Sequence, residues 1–156
     1  MNMEEKLVDR LIKKNWHISF AESCTGGKAC AQIVNVPNAS KVLNCSFITY
    51  SNESKIQFLH VNPKTIEEYG AVSEEVAQEM ALGAANAANA EIGAGITGIA
   101  GPAGGTVEKP VGMVCFGIQI HDKCFTYTAY FKNKARNDVR DSSVEFVLKK
   151  LLELIE

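Results

Sequence analysis

Long apolar runs are missing from this 156-residue chain, and no segment approaches the roughly 18–20 apolar residues that a membrane-spanning helix needs. The opening segment, MNMEEKLVDRLIKKNWH, has no apolar h-region, so the expectation is a cytoplasmic protein rather than an exported one. An excess of one charge is also missing. With 16 basic and 18 acidic residues the net charge is −2, which removes the electrostatic argument for nucleic acid as a partner. Histidine is scarce, and His17, His60 and His121 stand alone. The five cysteines (Cys24, Cys30, Cys45, Cys115, Cys124) show no C-x-x-C spacing, so neither a zinc site nor a dithiol redox motif is indicated. Five cysteines cannot all pair with one another. They sit mostly in apolar runs, as small buried residues do, and a reducing compartment suits them.

What remains is ordinary for a globular protein: 46% apolar, 22% charged and 8% aromatic residues. The length predicts one domain over residues 1–156. Met3, Leu7 and Leu11, with Val8 and Ile12 beside them, predict a helix over 3–14. ISFAES reads as a strand ending in the small-residue turn Cys24-Thr25-Gly26-Gly27, followed by a helix to about Val36. VLNCSFITY reads as a second strand, NESKIQFLH as a short helix, and NPKTIEEYG as a further helical turn ended by Gly70. Ser73 is a good N-cap for a helix running to about Asn89. EIGAGIT is a third strand, PVGMVCFGIQI and KCFTYTAYF an antiparallel hairpin, and a last helix starts near Asn137. This order predicts an α/β sandwich on a mixed sheet of about five strands, parallel first and antiparallel at the hairpin.

If the first three strands are parallel, the polar segments AESCTGG, YSNESK and TGIAGPAGGT emerge together at the carboxyl edge, where open α/β sheets bind ligands. Ser23 and Thr25 each read two ways, as a helix cap or as part of a reactive turn. The amides of Cys24, Thr25, Gly26 and Gly27 suit an anion or oxyanion at a helix start. Lys55 is either a solvated lysine or a base whose pKa burial and the helix field depress. Tyr50 either orients Lys55 or is an interior aromatic with its hydroxyl at the rim. The glycine-dense TGIAGPAGGT offers amides to a phosphate or carboxylate but matches no dinucleotide or P-loop pattern, and the following Glu108-Lys109-Pro110 reads equally as a mobile loop. Arg136 and Arg140, four apart, form either a phosphate clamp or a solvated helix face.

AESCTGG, TYSNESK, GAVSEEVA, TGIAGPAGGT and EKPVG, in that order over roughly residues 4–155, resemble the C-terminal domain family of CinA, a family with nicotinamide-nucleotide amidohydrolase (NMN deamidase) activity. The large N-terminal domain of full-length CinA has no counterpart here, and its associated pyrophosphatase activity is not implied. The resemblance implies a three-layer α/β/α fold and hydrolysis of the carboxamide of nicotinamide mononucleotide to nicotinic acid mononucleotide and ammonia. By motif, Ser23 is the implied nucleophile, Lys55 its base and Tyr50 an assistant. Thr97 and the loop through Gly98, Ala100 and Gly101 are implied in substrate binding, and Arg136 or Arg140 in holding the phosphate. VPNAS, GPAGG and NCSFITY depart from the usual family pattern without touching Ser23, Lys55 or Tyr50. No metal or organic cofactor is implied. The implied partner is a small-molecule substrate, with no nucleic acid and no membrane. Family members form oligomers, so a homo-oligomer is expected, and Ala84, Ala85, Ala87 and Ala88 face either another subunit or the sheet. The alternative from another functional class is a non-catalytic nucleotide- or partner-binding module related to competence or DNA damage.

Overall fold

Capping chemistry sets the helix starts in the computed structural model, which describes residues 1–156. Helix α1 (Met3–Lys14) begins at a reciprocal box in which Asn2 accepts from the Glu5 amide and Glu5 accepts from the Asn2 amide. Strand β1 (Ile18–Glu22) and helix α2 (Lys28–Val34) follow. Strand β2 (Phe47–Ile48) precedes α3 (Asn52–Leu59), which Ser51 caps. Helix α4 (Pro63–Tyr69) starts with proline in its first turn, and α5 (Glu74–Ala88) starts at the Ser73 hydroxyl. Strands β3 (Ile92–Gly98), β4 (Met113–Ile120) and β5 (Lys123–Tyr130) lead into α6 (Arg136–Leu154).

The sheet order is β2-β1-β3-β4-β5. The pairs β2–β1 and β1–β3 are parallel, whereas β3–β4 and β4–β5 are antiparallel. This is the expected mixed five-stranded α/β fold. The predicted second strand is much shorter than VLNCSFITY. Only Phe47 and Ile48 pair, opposite Ala21 and Glu22, because the Phe20 amide donates to the Ser46 hydroxyl rather than to a strand carbonyl.

One face of the sheet packs on α1, α2 and α6 through Leu7, Leu11, Phe20, Ile33, Phe116, Val147 and Leu151. The other face packs on α5 with the smaller residues Ala21, Val76, Met80 and Ala84. The approach of α5 is close enough to exclude side chains from the strands beneath it. Gly95 of β3 pairs with Gly117 of β4, and a Cβ on either would lie 2.5 and 2.4 Å from the Ala77 carbonyl oxygen. Ala84, Ala85 and Ala88 are therefore buried toward the sheet, and only Ala87 of the four is exposed. All five cysteines are free thiols. Cys24 and Cys115 are buried, but Cys45 is exposed because its segment is not a strand.

Candidate active site

Because β1, β2 and β3 run parallel, the segments after them do share one edge. Ser23 follows β1 directly, and its amide still donates to the Ile96 carbonyl at 3.0 Å. After β2, the Ser51 cap starts α3 so that Lys55 falls on its first full turn. Helical side chains lean toward the N-terminus, which carries Lys55 Nζ back to the carbonyls of Thr49 at 2.7 Å and Tyr50 at 3.2 Å. The same nitrogen lies 3.1 Å from Ser23 Oγ. As an ammonium it donates to all three oxygens. As a neutral amine it satisfies the two carbonyls with its two N–H bonds and turns its lone pair to the Ser23 hydroxyl.

Lys55 is only 1% exposed, so the solvated-lysine reading is overturned. Burial lowers its pKa from 10.5 to about 8, against weaker opposing effects of Cys24 and Glu53. Cys24, next to Ser23, responds in the opposite sense: burial pushes its thiol up to about 11, which keeps it protonated near neutrality. Ser23 is thus the nucleophile candidate with a base beside it, and Cys24 is not.

The capping readings of Ser23 and Thr25 are also corrected. Glu22 is completely buried, and its carboxylate accepts from the Ala29 and Cys30 amides at 2.8 and 3.0 Å. An anion of the protein therefore already fills the N-terminus of α2. The N-cap itself is Gly27, which makes no side-chain bond, and Thr25 Oγ1 is buried without a partner. The available signal was a carboxylate at the end of an otherwise apolar strand, since a buried charge demands donors.

A cavity of about 270 Å³ opens above Ser23 and Lys55. Its floor is Ser23, Cys24, Lys55 and Thr97. One wall is Ala71 and Val72, and another is the glycine-rich segment through Gly98, Ile99, Ala100, Gly101, Ala103 and Gly104. Tyr50, Asn52 and Arg136 stand at its rim, and no carboxylate lines it. Of the turn Cys24–Gly27 only Cys24 reaches the cavity, and its amide has no protein acceptor. Asn52, Ala71, Val72, Ile99, Ala103 and Gly104 also line the cavity; they lie within YSNESK, GAVSEEVA and TGIAGPAGGT but were not singled out as residues. Tyr50 is 64% exposed, which corrects the interior-aromatic reading. Its backbone carbonyl, not its ring, meets Lys55, while its hydroxyl accepts from Arg136 Nη2 at 3.2 Å.

The two arginines have separate duties. Arg140 Nε and Nη2 donate to the carbonyls of Cys24 at 2.8 Å and Thr25 at 3.1 Å, and Nη1 donates to Asn137 Oδ1 at 3.0 Å. Arg140 thereby braces the Ser23 turn and does not line the cavity. Arg136, tied to the Gly101 carbonyl at 2.8 Å, does line it. The pair is not a joint clamp.

Fold and site together describe an open mixed-sheet α/β protein with a buried serine–lysine pair at the carboxyl edge of its strands. Residues 1–155 match the CinA C-terminal domain, and the chain belongs to that family. A putative competence-damage inducible protein of Alkaliphilus metalliredigens is 54% identical over 121 residues, 78% of this chain and 29% of that protein. A CinA-like protein of Kosmotoga olearia is 46% identical over 157 residues, 99% of this chain and 38% of that one. The chain spans only about a third of the length of such relatives. The crystal structure of a CinA superfamily protein from Escherichia coli superposes with a TM-score of 0.94 at 36% identity, covering 98% of this chain and 88% of that one.

Proposed function

We propose that this chain is an amidohydrolase that deamidates nicotinamide mononucleotide to nicotinic acid mononucleotide and ammonia by a serine–lysine mechanism. The observation that carries the reading is Lys55 Nζ, buried, held by two carbonyls and 3.1 Å from Ser23 Oγ. Neutral Lys55 takes the Ser23 proton as the hydroxyl attacks the amide carbon. The Cys24 amide, which has no backbone acceptor, is the donor we assign to the oxyanion. Lys55, now protonated, hands its proton to the departing ammonia, and water then cleaves the acyl-enzyme with Lys55 again as base. The absence of carboxylates from the cavity, with Arg136 at its rim, suits a substrate that carries a phosphate.

Ammonia release from nicotinamide mononucleotide by the purified chain tests the reading. Ser23→Ala and Lys55→Ala are each expected to lose at least about 10²–10⁴-fold in kcat. Tight nucleotide binding with no turnover of any carboxamide would instead make the chain a binding module.

A further inference from the structure

Lys109 lies in the loop joining β3 to β4, far along the chain from either member of the catalytic pair. It is nonetheless tied to the opposite wall of the cavity. Its Nζ donates to the Val72 carbonyl at 2.7 Å and to the Tyr69 carbonyl at the end of α4. A cation suits that place, because the carbonyls ending a helix carry the negative end of its dipole. Gly70 makes room for it: φ is +82°, and a Cβ there would lie 2.8 Å from Lys109 Nζ. The loop is shaped to deliver the lysine. The Thr106 amide donates to the Lys109 carbonyl at 2.8 Å, and the Lys109 amide donates to Thr106 Oγ1 at 3.0 Å. At the loop's base the Gly112 amide donates to the Ile99 carbonyl at 2.7 Å.

Of the two carbonyls between those that Lys109 holds, Gly70's accepts from the Ser73 hydroxyl at 2.8 Å, and Ala71's is taken from the other side. Thr97 Oγ1, on the cavity floor, donates to the Ala71 carbonyl at 2.9 Å. Segment 69–72 is thus gripped from within by Thr97 and from without by Lys109. Ala71 and Val72 are one wall of the cavity, and residues 98–104 of the loop that bears Lys109 are the other.

We propose that Lys109 is a positioning residue that clamps segment 69–72 to the glycine-rich loop and so sets the width of the cleft in which the substrate sits. Its contribution to the reaction rests on the deamidase reading, whereas the clamp itself does not. Lys109 touches neither Ser23 nor Lys55, so its loss acts on substrate capture before chemistry.

Lys109→Met keeps the aliphatic stem and removes the donors, and Lys109→Arg keeps donors for both carbonyls. In Lys109→Met, amide hydrogen exchange in residues 69–73 and 99–106 should rise at least tenfold, with β1 and the middle of α5 unchanged. KM for nicotinamide mononucleotide should rise about tenfold with kcat within threefold, and Lys109→Arg should recover most of both effects. Unchanged exchange in the two walls overturns the clamp. Faster exchange with unaltered KM overturns the positioning role, as does a loss confined to kcat. If wild type releases no ammonia, the deamidase reading fails, and the exchange experiment alone decides the clamp.

Discussion

An ammonium withdrawn from water weakens a fold, and Lys55 shows the conflict between stability and chemistry at one residue. Its folded pKa of about 8 lies below the ordinary 10.5, so between those values the folded state binds fewer protons than the unfolded chain. Stability therefore rises with pH across that window, and the full penalty applies below about pH 8. Denaturant melts should show wild type gaining on Lys55→Met by about 3 kcal/mol from the bottom to the top of the window. Equal slopes for the two proteins would mean that the lysine stays charged when folded. The same value sets the rate profile. If Lys55 must be neutral to accept the Ser23 proton, kcat/KM should climb with pH, reach half its limit near 8 and then level off. A profile flat from pH 6 to pH 9 would remove Lys55 as the base, because such a base must lose its proton within that range. Glu22 supports this pair from the next residue. Its carboxylate accepts two helix amides, and a Gln carboxamide would turn an NH₂ toward one of them. Glu22→Gln should cost roughly 1–3 kcal/mol of stability in the same melts.

Among the elements, the contact of α5 with the sheet shows best what was legible in the sequence and what was not. Ser73 as cap and the short apolar run EIGAGIT correctly announced a helix followed by a strand. Alanine abundance alone left open which way the helix faces, because an alanine face packs against a sheet or a subunit equally well. The answer lies in a pairing that periodicity does not carry. Gly95 and Gly117 come opposite each other only once β3 and β4 are in register, and together they make a floor for the Ala77 turn. Gly95→Ala puts a methyl 2.5 Å from a helix carbonyl that cannot swing away, and should cost about 2–3 kcal/mol. Ala87→Ser, on the exposed face of the same helix, should stay within about 0.5 kcal/mol. Comparable losses from both would mean that α5 does not seat on this glycine floor. The short β2 is the converse case. VLNCSFITY has the composition of a strand, but at a sheet edge the ladder is replaced by one serine hydroxyl, and nothing in a single sequence distinguishes the two. The same limit applied to the arginines, whose spacing placed them on one helix face without showing that Arg140 turns to the Cys24 and Thr25 carbonyls.

For the whole molecule, a net charge of −2 would repel the anionic substrate of the proposed reaction at long range, so on that reading attraction has to be built locally. The topology gathers three loops at one edge, with Lys55 and Arg136 in a cavity lining that has no carboxylate. Lys55 has to be neutral before it can act as base, which leaves Arg136 as the standing cation at the rim. The reach of that charge is set by screening, about 10 Å at 0.1 M salt and about 3 Å at 1 M. KM for nicotinamide mononucleotide should therefore rise as salt is increased over this range, with kcat little changed because the chemistry lies beneath the rim. Arg136→Gln should raise KM at low salt by about tenfold, worth about 1.4 kcal/mol, and flatten its salt dependence. Arg140→Gln should behave differently, lowering kcat by loosening the Ser23 turn while the salt dependence persists. The discriminating measurement is KM against ionic strength for wild type and both variants. If Arg136→Gln keeps the wild-type curve and Arg140→Gln flattens it, the phosphate sits on the Ser23 turn, and the division of labour between the two arginines is reversed.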